Sequence, residues 1–275
     1  MLNREFRPDA IVLSVTHYAT GLPRLPTGVP VILDHVDECP TWVGEKYFRI
    51  ADGISAVSNA LYQSAAAVHP CVELIPNGVE LGGYSSGHRE SAKAALGLTG
   101  RVVVSLIGLT CSSRLYFLEA YADFAREVPD AVLLLVGDSQ LAGAMKERIG
   151  HLGVDIRMTG HLSFDQVATY FNATDIGLYP GDDVPYFRQA YPLKIMEYTA
   201  SGAQVVISPV DAFRSGWANV WTSQPDRDGF RNTMLEAWRN PRPAKDVSGM
   251  GWQDAAGRFE GLLEQVVARK EKRAS

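Results

Sequence analysis

The residues of this chain best suited to chemistry lie between Pro180 and Ser201, in "PGDDVPYFRQAYPLKIMEYTAS". A polar loop bounded by prolines runs into a short apolar helix. Pro192 is expected at its first helical position, where a missing N–H costs nothing. The unbonded amides of that first turn, with the helix dipole behind them, make an anion site. Arg188 and Lys194 add positive charge nearby, and a diphosphate is the natural guest. Glu197 lies beyond the first turn. A carboxylate there repels phosphate and is better suited to accept hydrogen bonds from vicinal hydroxyls, such as those of a ribose. The same residues could equally be a solvated helix acid and its lysine neighbour, and their types and spacing leave both readings open.

A second cluster, "ILDHVDECPTW" (32–42), gathers Asp34, His35, Asp37 and Glu38 after a strand-like run. A strand-end histidine beside carboxylates can take a proton near neutral pH, although Asp34 and Asp37 could instead cap the helix that follows. His17 ends another strand and is a weaker candidate. His69, His88 and His151 read as surface or helix-end residues. The adjacent acids of "GDDVP" (181–185) read as a solvated loop, and no metal site is expected.

The elements that must position these residues alternate. Apolar runs of strand length at 10–15, 29–33, 54–58 and 72–75 precede a Gly- and Ser-rich stretch, "PNGVELGGYSSGHRES" (76–91), which is the best linker candidate. Ser58 is the expected N-cap of a helix over 59–69. The rhythm restarts with strands at 101–108, 131–137, 154–160, 175–180 and 203–208. Helical patterns lie between them, including one over 163–173 with a Ser163/Gln166 capping box. "AVLLLVG" (131–137) is apolar throughout, as a parallel strand buried on both faces must be. Such alternation means parallel α/β sheets covered by helices. Ligands of such sheets bind at the carboxyl ends of the strands, which directs attention to loops 108–113, 137–139, 159–162, 180–192 and 208–211.

Composition narrows the classes. The net charge is −5 with 26 Lys and Arg against 31 Asp and Glu, which argues against non-specific nucleic-acid binding. No apolar run approaches the ~20 residues that span a bilayer, and "MLNREFRPDA" is too polar for a signal peptide. Three scattered cysteines, Cys39, Cys71 and Cys111, fit a reducing cytoplasm better than a disulfide framework. The expected location is cytoplasmic or peripheral to the membrane.

"PLKIMEYTASGAQVV" (192–206) resembles the donor-binding segment of the GT-B-fold glycosyltransferases of family 4 (group 1), commonly P-x-K-x-x-E-Y-x-A-x-G-x-P-V-V. "ADGISAVSNAL" (51–61), "ELIPNGVEL" (73–81), "VLLLVGDS" (132–139), "IRMTGHLSFDQVATYFNATDIGLYP" (156–180) and the Trp of "GWQDAA" (251–256) are similar to further family segments and follow in family order. The resemblance covers most of the chain from about residue 8 onward and implies a GT-B-like fold of two Rossmann-like, doubly wound parallel-sheet lobes, the first reduced. It implies a reduced acceptor-side domain over 1–78, a nucleotide-sugar-binding domain over 79–250, and a terminal helix over 251–275 packing back on the first domain.

The activity implied is transfer of a sugar from a nucleotide-diphosphate sugar to a glycan or lipid-linked acceptor, as in polysaccharide biosynthesis, with retention and with neither metal nor cofactor beyond the donor. By the resemblance, Glu197 matches the second Glu of the family's E-x7-E pattern and would hold the donor ribose. The first falls at Gln189, which can still hydrogen-bond a sugar hydroxyl but carries no charge. Lys194 would serve the diphosphate, with Arg188, Ala190 and Tyr191 in the same donor loop. The family's common Arg and Lys after the first strand of the second domain are not plainly present; the stretch from Gly108 offers Arg114 alone, at a shifted position, as a further substrate-binding candidate, and Gly160 and His161 sit where the family's base-recognition loop lies. Asp34, His35 and Lys194 are the candidate catalytic residues. A first sheet of so few strands would expose an edge, so a homodimer, a partner chain or a fragment is each compatible with it. The alternatives are a non-catalytic or split-enzyme subunit that binds a partner, and a sugar-nucleotide epimerase of the same fold.

Overall fold

A computed structural model describes residues 8–15, 28–38, 41–108, 115–138 and 142–274. The expectations for His17, Cys39, Cys111 and Arg114 therefore lie outside the described residues. The chain forms two compact units: residues 1–78 with Arg188–Tyr191 and Trp252–Ser275, and Val79–Phe187 with Pro192–Gly251.

In the first unit, β1 (Ile11–Val15), β2 (Val31–His35), β3 (Gly53–Ala56) and β4 (Val72–Leu74) pair in parallel in the order β1-β2-β3-β4. The connections α1 (Thr41–Ile50) and α2 (Asn59–Ala66) move one strand at a time in the same direction, so right-handed crossovers lay both on one face. The two-residue period of a strand sorts the side chains. Leu33 and Ile54 pack with Tyr47 and Phe48 of α1 and Ala65 of α2. Ile32 packs on the opposite face with Cys71, Ile75, and Leu262 and Val266 of the C-terminal helix. Ser58 caps α2 as expected, its hydroxyl accepting from the Leu61 N–H at 3.4 Å.

The stretch expected to be a linker is folded into the second unit. Val79 bridges to Gly251, Ser86–His88 forms a 3-10 turn, and α3 (Arg89–Ala95) follows. Then come β5 (Val102–Ile107), α4 (Tyr116–Glu127), β6 (Ala131–Val136), α5 (Ala142–Gly150), β7 (Ile156–Gly160), α6 (Phe164–Ala173), β8 (Ile176–Tyr179), α7 (Pro185–Gln189), α8 (Leu193–Ala200), β9 (Gln204–Ile207), β10 (Val220–Thr222), α9 (Arg227–Arg239) and α10 (Trp252–Ala274), the last belonging to the first unit. The sheet order is β10-β9-β8-β5-β6-β7, all parallel. Winding therefore reverses between β5 and β8, which makes that boundary the topological switch point. Val104 and Leu106 of β5 pack with Phe117, Tyr121 and Phe124 of α4 and Phe230 of α9. On the other face Ser105 meets Thr174 and Tyr198. At the amino end of β5, Asp175 accepts from the Lys93 ammonium at 2.7 Å and the Val103 N–H at 2.8 Å. No helix among the described residues is long and apolar enough to cross a membrane.

Candidate functional site

Three of the six strands of the second sheet, β5, β6 and β7, reach its carboxyl edge at residues without side chains. The chain turns at positive φ at Gly108, Gly137 and Gly160, at +101°, +113° and +69°, a region that only glycine enters freely. These three glycines stand at the ends of the adjacent strands β5, β6 and β7. Gly108 N–H donates to the Val136 carbonyl at 2.8 Å. Gly137 bridges to Gly160 and donates to the Thr159 hydroxyl at 3.2 Å. A Cβ on Gly137 would stand 3.6 Å from the Gly108 Cα. The glycines form one continuous bare floor.

Lys194 stands over it. A Cβ on Gly108 would overlap the Lys194 ammonium, and that Nζ lies 5.8 Å from the Tyr179 ring centroid at the end of β8. The cation thus sits at the β5/β8 switch point. The expected helix opening shifts by one residue. Pro192 is the N-cap, with φ −72° and ψ 123°, and Leu193 is the first helical residue; the Pro192 carbonyl already accepts from Ile195 N–H at 3.3 Å.

What fixes α8 is Tyr198, a residue quoted in the motif without a role. Its ring is fully buried, and its hydroxyl accepts from the Ile107 N–H and donates to the Ser105 carbonyl, both at 3.0 Å. The bare Cα of Gly177 makes room for the ring, because a Cβ there would overlap it. Tyr198 thereby pins the helix to the last residues of β5, immediately before Gly108.

Glu197, three residues after Lys194, is half-buried and accepts from the Tyr84 hydroxyl at 3.0 Å. Burial raises its pKa, while the Tyr84 hydrogen bond and the Lys194 charge pull it down. Tyr84 is 7% exposed and meets Phe171 edge-on at 5.3 Å. Its loop is strapped by Asn172, whose side chain accepts from Ser85 N–H and donates to the Gly83 carbonyl, both at 2.9 Å. Tyr84 comes from the supposed linker, where Gly and Ser on both sides disguised a buried aromatic.

The remaining predicted residues divide. His161 follows Gly160 and is exposed. Arg188, Gln189, Ala190 and Tyr191 belong with the first unit, each half-buried. Tyr191 packs against Ala56, Val57 and Leu61, its carbonyl accepts from Asn77 at 3.2 Å, and burial pushes its phenol up to about 12. Asp34 and His35 are not residues after a strand, because β2 runs on through both. Alternation therefore turns His35 inward, 2% exposed and edge-on to Phe48 at 5.3 Å. Burial lowers its pKa to about 4, against a hydrogen bond with the Asp37 backbone. A neutral ring so enclosed is a core residue, poorly placed to meet an acceptor. Asp34 faces the other side, accepting from Ser55 Oγ at 2.9 Å, and burial raises its pKa. Among the described residues, no three His, Cys, Asp or Glu side chains gather as an ion would require.

Residues 101–240, which carry the glycine floor, Lys194 and Glu197, match the family described as glycosyl transferases group 1. The chain belongs to this family. It is 26% identical over 262 residues to D-inositol 3-phosphate glycosyltransferase of Nocardia farcinica, covering 82% of this chain and 55% of that protein. It is 24% identical over 237 residues to the GDP-mannose-dependent monoacylated alpha-(1-6)-phosphatidylinositol monomannoside mannosyltransferase of Corynebacterium glutamicum, covering 78% of this chain and 59% of that one. The chain thus spans a little over half the length of these curated relatives. Its fold is similar to that of the crystal structure of Anabaena Alr3699/HepE in complex with UDP and glucose, with a TM-score of 0.61, 16% identity, and coverage of 89% and 72% of the two chains. The two parallel-sheet α/β units and these likenesses give a GT-B-like, Rossmann-type fold.

Proposed function

We propose that this chain transfers a sugar from a nucleoside-diphosphate donor, bound at the switch point of the second sheet, to a hydroxylated glycan or glycolipid acceptor. The observation that carries this reading is the Lys194 ammonium held over Gly108, with the Glu197 carboxylate fixed three residues later by Tyr84. Bare glycines let a diphosphate come close to the backbone. As the bond from the sugar's anomeric carbon to the diphosphate breaks, negative charge grows on the leaving group. A cation already fixed beside it stabilises that charge without reorganising. Glu197 accepts hydrogen bonds from a ribose diol; burial raises its pKa, and the Tyr84 hydroxyl and the Lys194 charge oppose that rise. The UDP and GDP-mannose named for similar proteins agree with a nucleotide donor. Retention at the anomeric carbon and the lack of a resident cofactor are carried by the family pattern of the donor segment.

Isothermal titration with UDP and GDP tests the reading. Binding of at least one is expected below about 1 mM, weakened about tenfold or more by Lys194→Ala or Glu197→Ala. Failure of both nucleotides to bind refutes it. Gln189, in place of a family Glu, favours the second reading of a donor-fold subunit without turnover. Nucleotide binding without donor hydrolysis or transfer would select that reading.

A further inference from the structure

Lys194 carries its ammonium on a flexible four-carbon stem, and a cation free to wander serves a diphosphate poorly. The bare Cα of Gly108 gives the ammonium room but does not hold it there. The ring of Tyr179 does. Tyr179 is the last residue of β8, half-buried, its Cα in register with Ile207 of β9 and its carbonyl accepting from the Ser208 N–H at 3.1 Å. The Lys194 Nζ stands over the ring, 5.8 Å from its centroid, inside the about 6 Å at which a ring face attracts a cation.

The ring is itself held. Phe187 of α7 stacks on it, with centroids 4.9 Å apart and planes 19° from parallel. Phe187 is 3% exposed and fills the space that Gly181 leaves, because a Cβ at 181 would overlap its ring. Gly181 is fixed in turn: its N–H donates to the buried Ser208 hydroxyl at 2.8 Å, and its carbonyl accepts from the Tyr116 hydroxyl at 3.2 Å. A chain of support thus runs from the carboxyl ends of β8 and β9 through two stacked rings to the cation. An aliphatic side chain at 179 would fill space but present no electron-rich face to the ammonium. We propose that Tyr179 is a positioning residue for Lys194: its ring, kept from tilting by Phe187, holds the ammonium over Gly108 before a ligand arrives. The proposal rests on the donor-site reading in one respect, that the group Lys194 awaits is a diphosphate.

Tyr179→Phe keeps the stack and the ring face. Tyr179→Leu and Tyr179→Met put aliphatic bulk in their place, two variants so that the test survives the misfolding of one. Each is made in the full chain with Lys194 and with Lys194→Ala, checked for a cooperative thermal melt, and titrated calorimetrically with UDP and GDP. With Lys194 present, the aliphatic variants should bind nucleotide about two- to fivefold more weakly, the worth of one partly exposed cation–ring contact, and Tyr179→Phe should restore the wild-type affinity. With Lys194→Ala the same substitutions should change affinity no further, because the partner they act through is gone. Equal losses in both backgrounds mark a general disturbance of the sheet edge and overturn the positioning role while the donor site stands. Aliphatic variants that bind like wild type, or a Tyr179→Phe chain that binds as weakly as they do, overturn it in the same way. Binding of neither nucleotide to the wild-type chain overturns the donor reading and the proposal together.

Discussion

Gly108→Ala separates what the glycine floor does for stability from what it does for binding. Gly108 has φ +101°, and a side-chain-bearing residue held in such a region costs about 1–3 kcal/mol. At about 2–4 °C per kcal/mol for a domain of this size, the variant should melt several degrees lower. The second effect is local. The new Cβ would overlap the Lys194 ammonium and stand 3.3 Å from its Cε. The end of a lysine moves easily, so the clash resolves by displacing the cation from the sheet edge, with little further loss of stability. Nucleotide binding then loses a charge-assisted contact worth about 1.5–3 kcal/mol, or about ten- to a hundredfold in affinity. Gly153 supplies the control. Its φ is +66° and an added Cβ meets nothing within 4 Å, so Gly153→Ala imposes left-handed strain, about 1–2 kcal/mol, at the far edge of the sheet. Thermal melts and calorimetric titration with UDP and GDP should show both variants melting lower and only Gly108→Ala losing affinity. If the two bind nucleotide within about twofold of each other, the position of Lys194 over Gly108 is not what holds the phosphates.

Two further outcomes follow from the same geometry. Glu197→Gln retains an oxygen for the Tyr84 hydroxyl and removes a charge that burial disfavours. The folded carboxyl titrates above the ordinary value of about 4.3, so the folded state binds this proton more tightly than the unfolded chain does. Its contribution to stability therefore falls as pH rises from the ordinary value through the raised one. The variant should lose that slope and melt no lower than wild type at neutral pH, yet bind nucleotide more weakly; a lower melting temperature at pH 7, measured by scanning calorimetry, contradicts the account. Asp175→Ala removes the carboxylate bonded at 2.7 Å to the Lys93 ammonium, a residue 7% exposed that keeps only a neutral acceptor, the Arg101 carbonyl at 3.0 Å, among the described residues. Removing one partner of a buried pair costs about 3–5 kcal/mol, and a loss under about 1 kcal/mol in urea unfolding would show the pair to be effectively solvated.

Much of this was legible in the chain. "AVLLLVG" could hardly be anything but a strand buried on both faces, and β6 is that strand. The Ser163/Gln166 capping box is present at the start of α6. What stayed hidden has identifiable causes. β10 has only three residues, Val220–Thr222, too few for a period to register. α3 and α7 are short, and α7 follows acids and prolines that read as loop. The supposed linker is rich in turn formers, but Tyr84 within it is anchored by Asn172 from α6, about ninety residues away in sequence; no local pattern reports so distant a clamp. His35 was misjudged by register. A strand expected to stop at residue 33 continues to His35, and two more residues decide which side of the sheet each side chain meets.

The carboxyl edge of the second sheet departs from ordinary stabilising rules in three ways. Three neighbouring strands end in glycines at positive φ, a carboxylate is held above its usual pKa by burial, and a cation stands over backbone. Each departure alone has a structural use elsewhere in the chain; Gly97, Gly100 and Gly153 also take positive φ, at turns where an added Cβ would meet nothing. What distinguishes the edge is that Gly108 and Lys194 meet where winding reverses, and that Tyr198, next to Glu197, uses its hydroxyl to fix α8 to the end of β5. Local rules are expected to fail where function requires it. Glutamine at 197 would keep an acceptor for the Tyr84 hydroxyl and remove a charge that burial disfavours, so the fold by itself does not require the acid.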